Sequence, residues 1–145
     1  EFFQLVEEHL KDDGVMVVNM NMRGAEKGSI NDYLSDTIGT VFPCIYTADV
    51  AYSTNRELFA SQNTEMLSVF SENVKKEPDE RLAAMMDIVE DALTPYEPGN
   101  YLLTDDKAPV ELLGMKVIDE LISDEVAYYR GIYEEQGLSG LLEML

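Results

Sequence analysis

The sequence predicts an α/β fold, and three observations point there. Short apolar runs rich in β-branched residues stand at 15–21 and 44–50. Segments with apolar residues at helical spacing separate them. A third strand-like run at 55–61 follows the second across a short polar turn. Alternation of this kind, ending in a hairpin, is the pattern of an α/β domain.

The elements follow in order. Phe2, Phe3, Leu5, Val6 and Leu10 fall on one helical side, with Glu7, Glu8 and Lys11 on the other. Asp12-Asp13-Gly14 closes that helix with turn chemistry. Val15 to Asn21 is apolar almost throughout, the pattern of a strand covered on both faces in a parallel sheet. Arg23 to Gly28 is read as a loop, and Ser29 as the cap of a helix with Ile30, Tyr33, Leu34, Thr37, Ile38 and Val41 as its stripe. Pro43 ends it. The strands at 44–50 and 55–61 are close enough to pair antiparallel through Ser53-Thr54-Asn55.

After Ser61 the composition turns helical. Met66, Leu67, Val69 and Phe70 predict one helix, ending at Lys75-Lys76. Leu82, Ala83, Met85, Met86, Ile88 and Val89 predict another, opened by Pro78-Asp79-Glu80. Thr94 to Asn100 interrupts the helical pattern. From Leu112 to Leu145 the chain reads as helix with a break near Gly137. No linker composition is visible, so the reading is one domain, α/β over 1–61 and mainly helical over 62–145.

The chain has 145 residues and 46% apolar residues, enough for one packed core. Its net charge of −19 disfavours nucleic acid and anionic membrane surfaces and favours a cationic ligand. No apolar run approaches the ~20 residues that a helix needs to cross a bilayer. The single cysteine, Cys44, excludes an internal disulfide and a cysteine-rich zinc site. It reads as a small buried hydrophobe, and the low cysteine content is compatible with a cytoplasmic setting. No metal ligand set is read: the cluster Asp119, Glu120, Asp124 and Glu125 lacks calcium-loop spacing and is a solvated helix face. His9, the one histidine, lies among charged residues on a polar helix side. Tyr128, Tyr129 and Tyr133 can pack on a partner or on another part of the fold.

Two stretches carry a family resemblance. One runs from Glu1-Phe2-Phe3 through the Asp-Gly turn to Val17-Val18-Asn19. The other is Leu103-Thr104-Asp105-Asp106-Lys107-Ala108-Pro109-Val110-Glu111. Together they resemble spermidine-synthase-like proteins of the polyamine aminopropyltransferase family, over residues 1 to about 115, with 62–100 fitting less well. The resemblance implies the C-terminal portion of a Rossmann-like, class I methyltransferase fold. Residues 15–21, 44–50 and 55–61 would be its fifth, sixth and reversed seventh strands. The first four strands, with the glycine-rich turn that holds the cofactor, would precede residue 1. The chain does not begin with Met, which agrees with an N-terminally shortened domain, inactive alone and binding no cofactor by itself. An exposed edge on strand 15–21 would then favour a homo-oligomer.

By the same resemblance, the longer protein transfers an aminopropyl group from decarboxylated S-adenosylmethionine to a polyamine. Alternatives stay open: a small-molecule methyltransferase using S-adenosylmethionine, or a non-catalytic assembly protein. Asp105, Asp106, Asn19 and Glu111 are the candidate substrate-binding residues. Carboxylates neutralise a cationic amine, and Asn19, like Asn21, stands at the C-terminal end of a strand, where ligands of open α/β sheets sit. A plainer reading makes Thr104 or Asp105 the cap of a helix starting near Pro109, with Glu111 completing a capping box. Asn19 and Asn21 would then serve loop backbone.

Overall fold

The computed structural model describes residues 1–20, 27–104 and 110–142. By compactness the chain divides into two units, Glu1–Ala108 and Pro109–Leu145.

The first unit is a mixed α/β structure. Its elements are α1 (Phe2–His9), β1 (Val15–Met20), α2 (Ile30–Gly39), β2 (Cys44–Asp49), β3 (Arg56–Ser61), α3 (Met66–Lys76), α4 (Glu80–Ala92) and β4 (Thr94–Pro95). The sheet order is β1-β3-β2-β4. β3 is antiparallel to both neighbours, with Val15 and Cys44 each opposite Ser61. β1 and β2 therefore run in the same direction with a reversed strand between them. The β2–β3 hairpin pairs antiparallel as its short turn requires. Arg56 closes its mouth by reaching Asp49 at 2.6 Å.

Alternation builds the core. Met16, Val18 and Met20 of β1 share one face with Leu58 and Ala60 of β3 and Ile45 of β2. Met20, Ile38, Phe42, Ile45, Leu58 and Ala60 form the buried cluster. Phe3, Val6 and Leu10 of the first helical segment pack against it, as do Leu34 and Val41.

Five expectations need correction. β1 is not covered on both faces: its burial alternates, and Val15 and Val17 are exposed. Every neighbouring pair among the described strands is antiparallel, so the run of apolar residues did not signal a parallel pairing here. In α1, Phe2 and Leu5 face solvent and only Phe3 and Val6 turn inward. In α4 the half-buried line is Ala83, Met86 and Glu90, continued by Leu93, while Leu82, Met85, Ile88 and Val89 are exposed. Glu90 is turned inward because the Ser71 hydroxyl of α3 donates to it. The segment read as a break, Thr94–Pro95, is a two-residue edge strand on β2.

Cys44 is buried, with its Sγ 4.0 Å from the Thr64 carbonyl oxygen. His9 is exposed, and its Nδ1 lies 2.8 Å from the Leu5 carbonyl one turn back. Among the described residues no helix is long and apolar enough to cross a membrane.

The second unit is built on α5 (Val110–Leu142), in which Gly137 (φ 67°, ψ −161°) interrupts the helical path. The break thus falls where the sequence predicts it. A positive φ costs glycine nothing, which is why the interruption sits on that residue.

Candidate functional site

The best-defined polar arrangement is built on α2. Ser29 caps the helix, its Oγ accepting from the Asp32 amide at 3.3 Å. Asp32 returns the favour one residue upstream, accepting from the Gly28 amide at 2.7 Å. This near-reciprocal cap fixes the start of the helix. One turn on, Asp36 is 1% exposed.

A buried carboxylate must be satisfied, and here the chain returning from α4 satisfies it. The Tyr96 hydroxyl donates to Asp36 Oδ1 at 2.7 Å, and the Gly99 amide donates to the same oxygen at 2.8 Å. The Tyr101 amide donates to Oδ2 at 2.8 Å. Thr37 extends the attachment: its Oγ1 accepts from the Leu103 amide at 2.8 Å and donates to the Tyr33 carbonyl at 2.6 Å. Residues 96–103 therefore form a strap tied across α2 without regular secondary structure.

Glycines permit the close approach. A Cβ on Gly39 would lie 2.2 Å from Cγ of Pro98, and one on Gly99 would lie 2.9 Å from Asp36 Oδ2. The rings of Tyr33 and Tyr101 meet at 5.2 Å between centroids. Burial, then the hydrogen bond and negative charge of Asp36, push the Tyr96 hydroxyl well above its ordinary pKa of 10.0. Tyr96 therefore stays a donor through the physiological range.

An open cavity of about 560 Å³ lies against this strap, lined by Lys27, Asp32, Asp36, Tyr96, Glu97 and Tyr101 among others. Its charged lining is mostly acidic, which suits a cation. Asp36 itself is a structural anchor, since its oxygens already accept three hydrogen bonds. A second cavity of about 260 Å³ is apolar, between Val15 and Phe59 of the sheet and Met66, Phe70 and Val89 of α3 and α4. Asp13, Asn63 and Asn73 also line it.

The sequence-predicted residues are distributed as follows. Asp105 and Asp106 lie outside the described residues, as does Asn21. The strap leads directly to that segment, since Leu103, its last tied residue, is two positions before Asp105. Asn19 is exposed at the C-terminal end of β1, opposite Glu57 in register. It is not among the residues lining the acidic cavity. Glu111 is exposed in the first turn of α5, in the second unit. Among the described residues no group of three or more His, Cys, Asp or Glu is placed to hold a metal.

Sequence reading missed Asp36, Tyr96 and Thr37. The available signal was Pro95-Tyr96-Glu97-Pro98-Gly99-Asn100-Tyr101, whose tyrosines need partners once buried and whose Pro-Gly step turns the chain back.

No family model matches the chain. No solved structure matches it either. A curated relative does: the chain is 43% identical, over 98% of its length, to a protein of Bifidobacterium longum (strain NCC 2705) named "Probable polyamine aminopropyl transferase". The match takes in residues 62–100 and the helical C-terminal region as well as the two stretches that first carried the likeness. By fold the chain is a mixed α/β protein. By sequence that likeness supports a spermidine-synthase-like family. It spans 36% of the length of the curated relative it matches.

Proposed function

We propose that this chain forms the acceptor side of a polyamine aminopropyltransferase that uses decarboxylated S-adenosylmethionine. The observation that carries the reading is the 43% identity, over nearly the whole chain, to a relative bearing that activity in its name. The reversed β3 between co-directional β1 and β2 supports the fold proposal, as the reversed last strand of a methyltransferase-like sheet would look this way.

The donor is a separate matter. A nucleoside needs glycine backbone that it can approach closely. Among the described residues of the first unit, each glycine approach is filled by the chain itself: Lys11 and Leu10 stand over Gly14, Tyr101 over Gly28, Pro98 over Gly39 and Asp36 over Gly99. The described residues therefore do not fit the adenosyl group, and no step of the transfer is derived through it.

What the chain supplies is charge and position for the amine. The Asp36 and Thr37 bonds hold the strap at 96–103, which precedes Asp105 and Asp106 in the chain. In the proposal these two carboxylates neutralise the cationic end of the polyamine and so fix the diamine in line for attack. Asn19 offers its amide at the end of β1. Positioning of this kind is most of what such a displacement asks of a protein, because a sulfonium already leaves readily.

The test is transfer by the enzyme that carries this sequence, incubated with putrescine and either decarboxylated S-adenosylmethionine or S-adenosylmethionine. Mass spectrometry should find aminopropylated product with the first donor and no methylated product with the second. The variant pair Asp105→Asn and Asp106→Asn should raise KM for the diamine roughly tenfold, about what the loss of one charge-assisted contact implies, with KM for the donor unchanged. Methylated product alone, or an unaltered diamine KM, would overturn the reading.

A further inference from the structure

The turn between β2 and β3 puts an aromatic residue where the backbone resists one. The Val50 amide donates to the Asn55 carbonyl at 3.0 Å, and inside that closure the Ser53 amide donates to the Val50 carbonyl at 3.3 Å. Tyr52 is the third residue of this inner turn and has φ 58°. A turn with a positive φ at that position ordinarily takes glycine or asparagine, because a β-carbon there crowds the backbone. Among the described residues, Tyr52 is the one residue other than glycine with a positive φ. Its side chain is fully exposed, so packing does not offset the strain. Strain of this kind points to a function rather than to the fold.

The place of the turn in the fold indicates which function. β1 and β2 run in the same direction, and their ends at Met20 and Asp49 both stand opposite Arg56. The turn that carries Tyr52 therefore rises from the carboxyl end of the sheet, the end where ligands of open α/β sheets sit. α2 leaves from that end too, since it carries the chain from β1 back to the start of β2. Its first turn holds Asp32, which lines the acidic cavity together with Glu97. The base of the turn lies within the field of that cavity. Arg56 is held above its ordinary pKa first by its hydrogen bond to Asp49, and the charges of Asp49 and Asp32 raise it further. An aromatic face beside carboxylates is a setting that recognises an alkylammonium, which the ring attracts as a cation.

We infer that Tyr52 is a specificity-determining residue for the acceptor: its ring supplies an aromatic wall for the cationic amine. The inference rests on the acceptor-side reading above and adds to it a residue that tells an amine from an uncharged chain of the same length. The wall needs the ring and not the hydroxyl, because the attraction is to the face of the π-system.

Calorimetric titration of the enzyme that carries this sequence is the test, with putrescine as the probe and butanediol as its uncharged counterpart. Tyr52→Asn and Tyr52→Gly should each weaken putrescine binding roughly two- to fivefold, the span of an exposed cation–ring contact. Tyr52→Phe keeps the ring and should bind like the wild type. Neither small variant should change the response to butanediol. The urea midpoint of Tyr52→Asn should not fall, since asparagine tolerates the positive φ, and this separates a lost contact from a lost fold. Unchanged putrescine affinity in Tyr52→Asn and Tyr52→Gly would overturn the inference. So would a Tyr52→Phe variant as weak as those two, or a wild type that binds putrescine no better than butanediol. Failure of the transfer reading looks different: putrescine binding that depends on Tyr52, with no aminopropylated product.

Discussion

The strap at 96–103 and the helix α5 make opposite use of the chain. The strap has no regular secondary structure, yet Asp36 and Thr37 bind four of its groups at 2.7 to 2.8 Å. α5 satisfies its backbone internally over many turns, yet its large apolar side chains face solvent. Regularity and fixity are therefore separate properties. A helix draws most of its stability from packing one face, whereas an irregular segment can be held by a few buried polar bonds whose loss is costly.

Substitutions can break this contrast, and the largest effect should come from the core. Phe42→Ala removes a side chain that is 1% exposed and should cost about 3–5 kcal/mol, read as a fall in the urea midpoint. Ile122→Ala on exposed α5 should shift the same unfolding transition by less than about 0.5 kcal/mol. An equal cost for the two would end the distinction.

Asp36→Ala should come next. It strands the donors of Tyr96, Gly99 and Tyr101, for roughly 2–4 kcal/mol. Amide exchange at Gly99 and Tyr101 should accelerate more than exchange in β3. Gly39→Ala drives a Cβ into Pro98 and should cost about 1–3 kcal/mol, with the strap again the first part to exchange.

A smaller and pH-dependent effect is expected of Tyr96. Its folded pKa is raised above the ordinary 10.0, so its contribution is fully present below pH 10. Above that value the unfolded chain ionises first, and stability falls until the folded hydroxyl also titrates. Tyr96→Phe should lower stability at pH 8 by about 1 kcal/mol and flatten the decline between pH 10 and the alkaline limit. Denaturant midpoints across that range supply the measurement.

Much of this architecture was legible beforehand. The three longer strands, the Ser29 cap, the hairpin and the break at Gly137 all follow from local rules of apolar period, cap and turn. What escaped was non-local. β4 is two residues long and contains proline, so no period could mark it. Asp36 sits on a helix whose apolar stripe says nothing of a carboxylate buried by a strap sixty residues later in the chain. The stripe of α4 was read at the wrong angle because Glu90, bonded to Ser71, turns inward where sequence alone would send a glutamate out. Asn19 does stand at the end of β1, away from the acidic cavity, and the cluster around Asp36 was not foreseen.

Cys44 carries one more consequence. Burial raises its thiol pKa above the ordinary value, and no second cysteine competes with it in this sequence. Reaction with an alkylating reagent at neutral pH therefore waits for β2 to come free of its cover. The labelling rate is a built-in clock for how often that part of the sheet opens, readable without introducing any reporter group.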